Sequence, residues 1–186
     1  MSIVKQAASQ MGIATEAGAL LRDDMTPRAA VQALLDADEP QAALQLLARL
    51  LPKRYAVAWL CQCARGEQLP VEERAGASLA ENWARDPSEA NRRAAFEFAN
   101  AGEYESLGAW IAASAGWADG SLAPARQEAP VPPDEHLTAV AAVAAINMLA
   151  GLVAEKFSAR RIEFIKRAMD LLGQPGSASG AAMKPA

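Results

Sequence analysis

The chain has 186 residues and a formal net charge of -4 at neutral pH, and about a quarter of it is alanine. That length suits one domain with a core of its own, and acidic residues spread along it exclude the broad positive field that holds nucleic acid or an anionic membrane. Alanine-rich blocks of helix length, broken by Pro, Gly, Asp and Ser and poor in Val, Ile and Thr, predict an all-α fold without a sheet.

Residues 1–25 form an N-terminal segment expected to be partly ordered. Gln6, Ser9, Gln10 and Glu16 interrupt the apolar run that a secretory signal requires, which predicts a cytoplasmic protein. A single domain is expected over 26–172. Its first clear helix opens at Thr26 as N-cap with Pro27 in the first helical position, presents Val31, Leu34 and Leu35, and ends near Ala37. After Asp38-Glu39-Pro40, a second helix carries Leu44, Leu47 and Leu51 on one wide apolar face.

Pro52 starts a third helix, Lys53 to about Arg65, with Gly66 as its C-terminal cap. Cys61 and Cys63 lie two positions apart on it, so they point to different faces and neither pair nor share a metal. A fourth helix begins around Pro70, where Glu72 and Glu73 suit the positive end of the helix dipole, and runs past Trp83. Ser88 caps a fifth that closes at Asn100 to Gly102. The sixth starts near Ser106 and runs toward Gly120, with Leu107, Trp110, Ala113 and Trp117 on one stripe.

Residues 120–133 form a Pro-rich stretch that either straps the outside of the bundle or links a six-helix front to a two-helix back, and the apolar Leu122 and Val131 favour the strap. Asp134 is expected to cap a long alanine helix, and Ser158 the last one, on which Ile162, Ile165, Met169 and Leu172 make the buried stripe. Leu137 to Ala154 lacks charge altogether, yet alanine dominates it and Asn147 would need a partner in lipid, so it reads as a buried central helix. Residues 173–186, rich in Gly, Ser and Ala, are expected to be a disordered tail. The expected architecture is an irregular bundle of about eight helices, with repeat-like antiparallel hairpins as one form of it and the Pro-rich strap before the last two.

Reactive constellations are scarce. His136 is the only histidine and has no second ligand at metal spacing, the glycines are single and sit where helices end, and the acidic pairs Asp23-Asp24, Glu72-Glu73 and Asp134-Glu135 fall near helix starts. No catalytic residue, cofactor or metal is therefore expected. The polar groups most apt to be exposed contacts for a partner are Lys53, Arg54, Arg92 and Arg93, because a guanidinium grips carboxylates with two parallel hydrogen bonds. Trp117, at a helix end beside the strap, is the corresponding apolar anchor, or else pins the strap down.

Three segments carry a resemblance: Pro52-Lys53-Arg54-Tyr55-Ala56-Val57-Ala58-Trp59-Leu60-Cys61, Asp86-Pro87-Ser88-Glu89-Ala90-Asn91-Arg92-Arg93-Ala94-Ala95, and Gly120-Ser121-Leu122-Ala123-Pro124. Together they resemble a family of bacterial proteins of unknown function associated with type VI secretion gene clusters, over most of residues 26–172. The resemblance implies a cytoplasmic accessory role, such as adaptor or chaperone, and no catalytic residues. The expected function is a non-enzymatic protein–protein interaction module with a protein partner, compatible with a homo-oligomer and without nucleic acid or membrane. Two alternatives stand beside it: an enzyme with a carboxylate or tyrosine site invisible in sequence, and a membrane-associated helical protein using 137–154.

Overall fold

The computed structural model describes residues 1–173, and among these it is all helical: α1 Ile3–Gln10, α2 Thr15–Gly18, α3 Pro27–Asp36, α4 Pro40–Leu50, α5 Lys53–Arg65, α6 Val71–Arg85, α7 Glu89–Ala101, α8 Leu107–Gly116, α9 Leu137–Gly151 and α10 Phe157–Met169. The expected disordered tail lies, apart from Gly173, outside the described residues. The anticipated caps at Thr26 and Ser88 form, their hydroxyls accepting from the backbone N–H groups of Ala29 and Asn91, and Ser106 likewise caps α8 through the Ala109 N–H. Two anticipated caps do not form. The Asp134 side chain caps nothing, because α9 begins at Leu137 behind His136, and Ser158 lies inside α10, which is entered through a 3-10 turn at Ala154–Lys156.

Two helices beyond the expected eight lie in the N-terminal segment. Val4, Ala7, Ala8, Met11, Ala17 and Leu21 join the core, and α1 packs on α4. Asp23 fastens this start: its carboxylate accepts from the Ser2 backbone N–H and pairs with Lys5 at 3.0 Å. The Ser2 bond, followed by Lys5, holds its pKa down at about 2.

Helix α8 lies at the centre of the bundle together with α9. Nine of its ten residues are buried, only Trp110 reaching solvent, and it packs against α5, α6, α7 and α9. The long alanine helix α9 is its neighbour and also meets α4, α5 and α10. Both helices lack a polar face because other helices surround them, while alanine and glycine let those neighbours come close. A Cβ on Gly116 would sit 2.6 Å from the Phe96 Cα, so α7 and α8 touch along their backbones. Three polar groups buried by this packing find carbonyl partners: Thr138 donates to that of Ser114 at 2.9 Å, Ser114 to that of Ile111 at 2.6 Å, and the Trp59 indole to that of Phe164 at 2.9 Å. No single helix among the described residues is long and apolar enough to cross a membrane.

Helix α8 stops at Gly116, one turn before Gly120, with Trp117 as its C-cap. The Pro-rich segment beyond is a loop pinched at its neck. The Leu122 N–H donates to the Val131 carbonyl at 2.8 Å, and the Val131 N–H to the Ser121 hydroxyl at 2.9 Å. Ala123 is buried, but residues 124–132 are exposed throughout and Val131 is 44% exposed. The segment is thus clasped at its base and stands off the bundle, because Val131 spends its backbone on the neck and turns its side chain to water.

Candidate functional site

Four of the five predicted contact residues hold the fold together at helix ends. Arg92 is 1% exposed, which corrects its expected place at the surface. It donates to both oxygens of Glu89 at 2.6 and 2.7 Å, to the Gly116 carbonyl at 2.7 Å and to the Ser121 carbonyl at 3.4 Å. The guanidinium therefore ties the end of α8 to the neck of the Pro-rich loop. Gly120, at φ +69, lies over it where a Cβ would come within 2.5 Å of the Arg92 Nε. Arg93 is half-buried, donates to the Ala123 carbonyl at 3.0 Å and stacks over Phe96 at 5.3 Å.

Lys53 is also half-buried: it donates to the Ala118 carbonyl at 2.8 Å and pairs with Glu135 at 3.5 Å. Arg54 is exposed, yet its fork reaches the carbonyls of Ala84 and Arg85 at 2.6 and 2.9 Å and closes the C-terminus of α6. Single-sequence reading sees the charge but not the orphan carbonyls that attract it.

Trp117 stands in different company. Its ring lies 5.2 Å from Tyr104 and 5.9 Å from Trp110, edge-on to the latter, while Tyr104 and Trp110 are 5.9 Å apart. Each ring touches the other two, and all three are partly exposed. The Tyr104 edge of this triangle comes from a strained turn. After α7 the left-handed conformation falls on Glu103 and Tyr104, at φ +50 and +58, whereas Gly102 keeps a negative φ of -83. Each such residue costs about 1 kcal/mol or more. The strain carries Tyr104 back over the two tryptophans.

A second feature runs along the outer surface between α5 and α6. Two adjoining hollows of about 280 and 260 Å³ share Cys61, Arg65 and Glu81. Glu81 Oε1 accepts from Arg65 and, at 2.5 Å, from Arg85, and Arg74 borders the wider hollow. The Cys61 thiol lies on the floor, directed at the Ala77 carbonyl 3.8 Å away. Cys63 faces the other way, within the field of Arg167 and Glu163 on α10. Burial pushes both thiols up to about 12, so neither supplies a thiolate near neutral pH.

A family model, described as a family of unknown function (DUF6931), matches residues 30–172. The chain belongs to that family. No curated protein and no solved structure matches it. The DUF6931 region begins inside α3 and runs to Leu172, so it contains the Arg92 clasp, the aromatic triangle and the α5–α6 groove, while α1 and α2 lie outside it.

Sequence reading missed the roles of two residues of the DUF6931 region, both half-buried. Glu73, assigned to the dipole of its own helix, accepts from the Gly108 backbone N–H and caps α8 instead. Tyr104 gave no periodic signal, because it sits in a turn and joins the tryptophans only through its backbone conformation.

Proposed function

We propose that this chain is a non-enzymatic protein–protein interaction module, an accessory adaptor or chaperone of a bacterial secretion system of the type VI kind. The observation that carries the reading is the Tyr104–Trp110–Trp117 triangle, three partly exposed rings in mutual contact on a strained turn. Trp and Tyr dominate the binding energy of protein interfaces because a large rigid ring is desolvated at little cost in rotamer freedom. Backbone strain retained at such a spot favours function over stability as its reason.

The charged residues support the same division of labour. Lys53, Arg54, Arg92 and Arg93 cap carbonyls and hold the loop, so contact with a partner rests on Trp117 and its neighbours. The association with secretion gene clusters rests on the sequence resemblance, and family membership adds nothing to it.

Quantitative pull-down from native lysate with the full chain and with Trp117→Ala, both shown folded by circular dichroism, tests the proposal. Secretion-cluster proteins enriched by the parent and lost with the variant are the expected result. Identical recoveries from the two baits would overturn it.

A further inference from the structure

The α5–α6 groove presents more guanidinium donors than its carboxylates occupy. Three arginines border it: Arg65 from α5, and Arg74 and Arg85 from α6. Its Glu67 is already neutralised by Arg160 from α10, which leaves Glu81 as the one lining carboxylate against the charge of three arginines. Arg65 and Arg85 both donate to the same Glu81 oxygen, Oε1. A guanidinium has five N–H donors, so most of theirs remain unused. The Arg74 side chain has no ion-pair partner among the described residues.

The two arginines that hold Glu81 are 63% and 74% exposed, whereas Glu81 is 26% exposed and sits lower in the groove. It shows how a carboxylate is seated there. Ala58, Cys61, Ala77 and Ala84 keep the floor low, so a second backbone can approach. In a chain of net charge -4, this is a local excess of positive charge on a concave surface.

We infer that the α5–α6 groove binds an acidic segment of a partner protein, its carboxylates held by Arg74 at one end and by the Arg65–Arg85 pair at the other. The two ends on α6 are eleven residues apart, about 16 Å at the helical rise. An extended segment covers that distance in about five residues, so a short acidic stretch spans the groove. Charge complementarity selects this occupant over an apolar helix, because three guanidiniums would be left desolvated against an apolar face. The inference rests on the interaction-module reading and names the chemistry of the partner.

Fluorescence anisotropy with fluorescein-labelled hexaglutamate at low ionic strength tests it on the full chain. Arg74→Ala removes a side chain free of ion pairs, so the variant folds. Arg126→Ala in the exposed loop is the control for general charge, and labelled hexathymidylate is the control for any polyanion. Binding of hexaglutamate by the parent is expected, with a loss of roughly tenfold in Arg74→Ala, partial recovery in Arg74→Lys and no change in Arg126→Ala. Absence of binding, equal losses in Arg74→Ala and Arg126→Ala, or hexathymidylate binding as tightly as hexaglutamate would each overturn it. Loss of this site with Trp117-dependent capture intact leaves the interaction module standing; hexaglutamate binding without such capture removes the aromatic contact instead.

Discussion

A Cβ placed on Gly76 would lie 2.1 Å from the carbonyl oxygen of Gly108, so α6 and α8 cross with one backbone against the other. Gly108 itself leaves no room, since a Cβ there would be 2.9 Å from the Glu73 Cα. This contact brings Glu73 to the first turn of α8, where its carboxylate receives the Gly108 N–H. Small residues thus set the helix spacing that puts a cap from one helix onto another.

Gly76→Ala therefore forces α6 and α8 apart and is expected to destabilise the protein by roughly 3 kcal/mol, lowering Tm by about 10 °C. Gly151→Ala is the comparison, because nothing lies within 4 Å of a Cβ there and its φ is not positive. It should be neutral or stabilising by up to about 0.5 kcal/mol. Equal thermal shifts for the two variants would contradict a backbone-to-backbone crossing of α6 and α8.

Arg92→Ala removes hydrogen bonds to two carbonyls and leaves a buried void, an expected loss of about 2–4 kcal/mol in urea unfolding. Residues 124–132 should also become more sensitive to protease, because the loop loses its clasp. Arg54→Ala, at an exposed helix end, should cost less than about 1 kcal/mol. A ranking in the opposite order would show that the buried guanidinium is not what holds the loop.

Glu89 supplies a pH signature. Its hydrogen bonds to Arg92, ahead of the charges of Arg92 and Arg93, hold its carboxyl below the ordinary value of 4.5. A depressed carboxyl contributes stability that is fully present above its unfolded value and fades as pH falls toward its folded one. The Tm difference between the parent and Glu89→Gln should be constant from pH 7 to about 5 and shrink below that. A difference that grows on acidification would reverse the sign and refute the pairing.

Both thiols are pushed up to about 12 by burial. At pH 8 the native protein should react with a disulfide reagent at least about a hundredfold more slowly than the unfolded chain, since only thiolate attacks. Titration of native and urea-unfolded protein side by side measures this. One thiol reacting at the unfolded rate would place that cysteine on the surface.

Much of the fold could be read from local signals. Pro27 behind Thr26, Pro52 before Lys53, and Ser88 and Ser106 before their helices mark starts that need no tertiary information. The opposite outcome at Asp134 and Ser158 has a physical cause: packing against neighbouring helices decides where α9 and α10 begin, and a nearby capping residue does not override it. The alanine run of α9 pointed to a central helix, and α9 does pack among α4, α5, α8 and α10; α8 shares the centre with it, because Gly108 and Gly116 admit neighbours closer than alanine can. The candidate site was less legible. Trp117 was visible as an aromatic residue at a helix end, whereas Tyr104 comes beside it only through two left-handed residues that no sequence period announces. The arginines were visible as charge, but beside the near Glu89 their partners include backbone carbonyls 24 to 31 residues away.

The claim that the aromatic triangle is the contact for a partner protein is tested most directly by photocrosslinking in the native host, with p-benzoylphenylalanine replacing Tyr104 in one strain and Leu20 in another. Leu20 is 41% exposed and lies in the N-terminal segment, apart from the three rings in sequence. A discrete covalent adduct with a second protein is expected from position 104 after irradiation, and none from position 20. No adduct from position 104, or the same adducts from both positions, would contradict it.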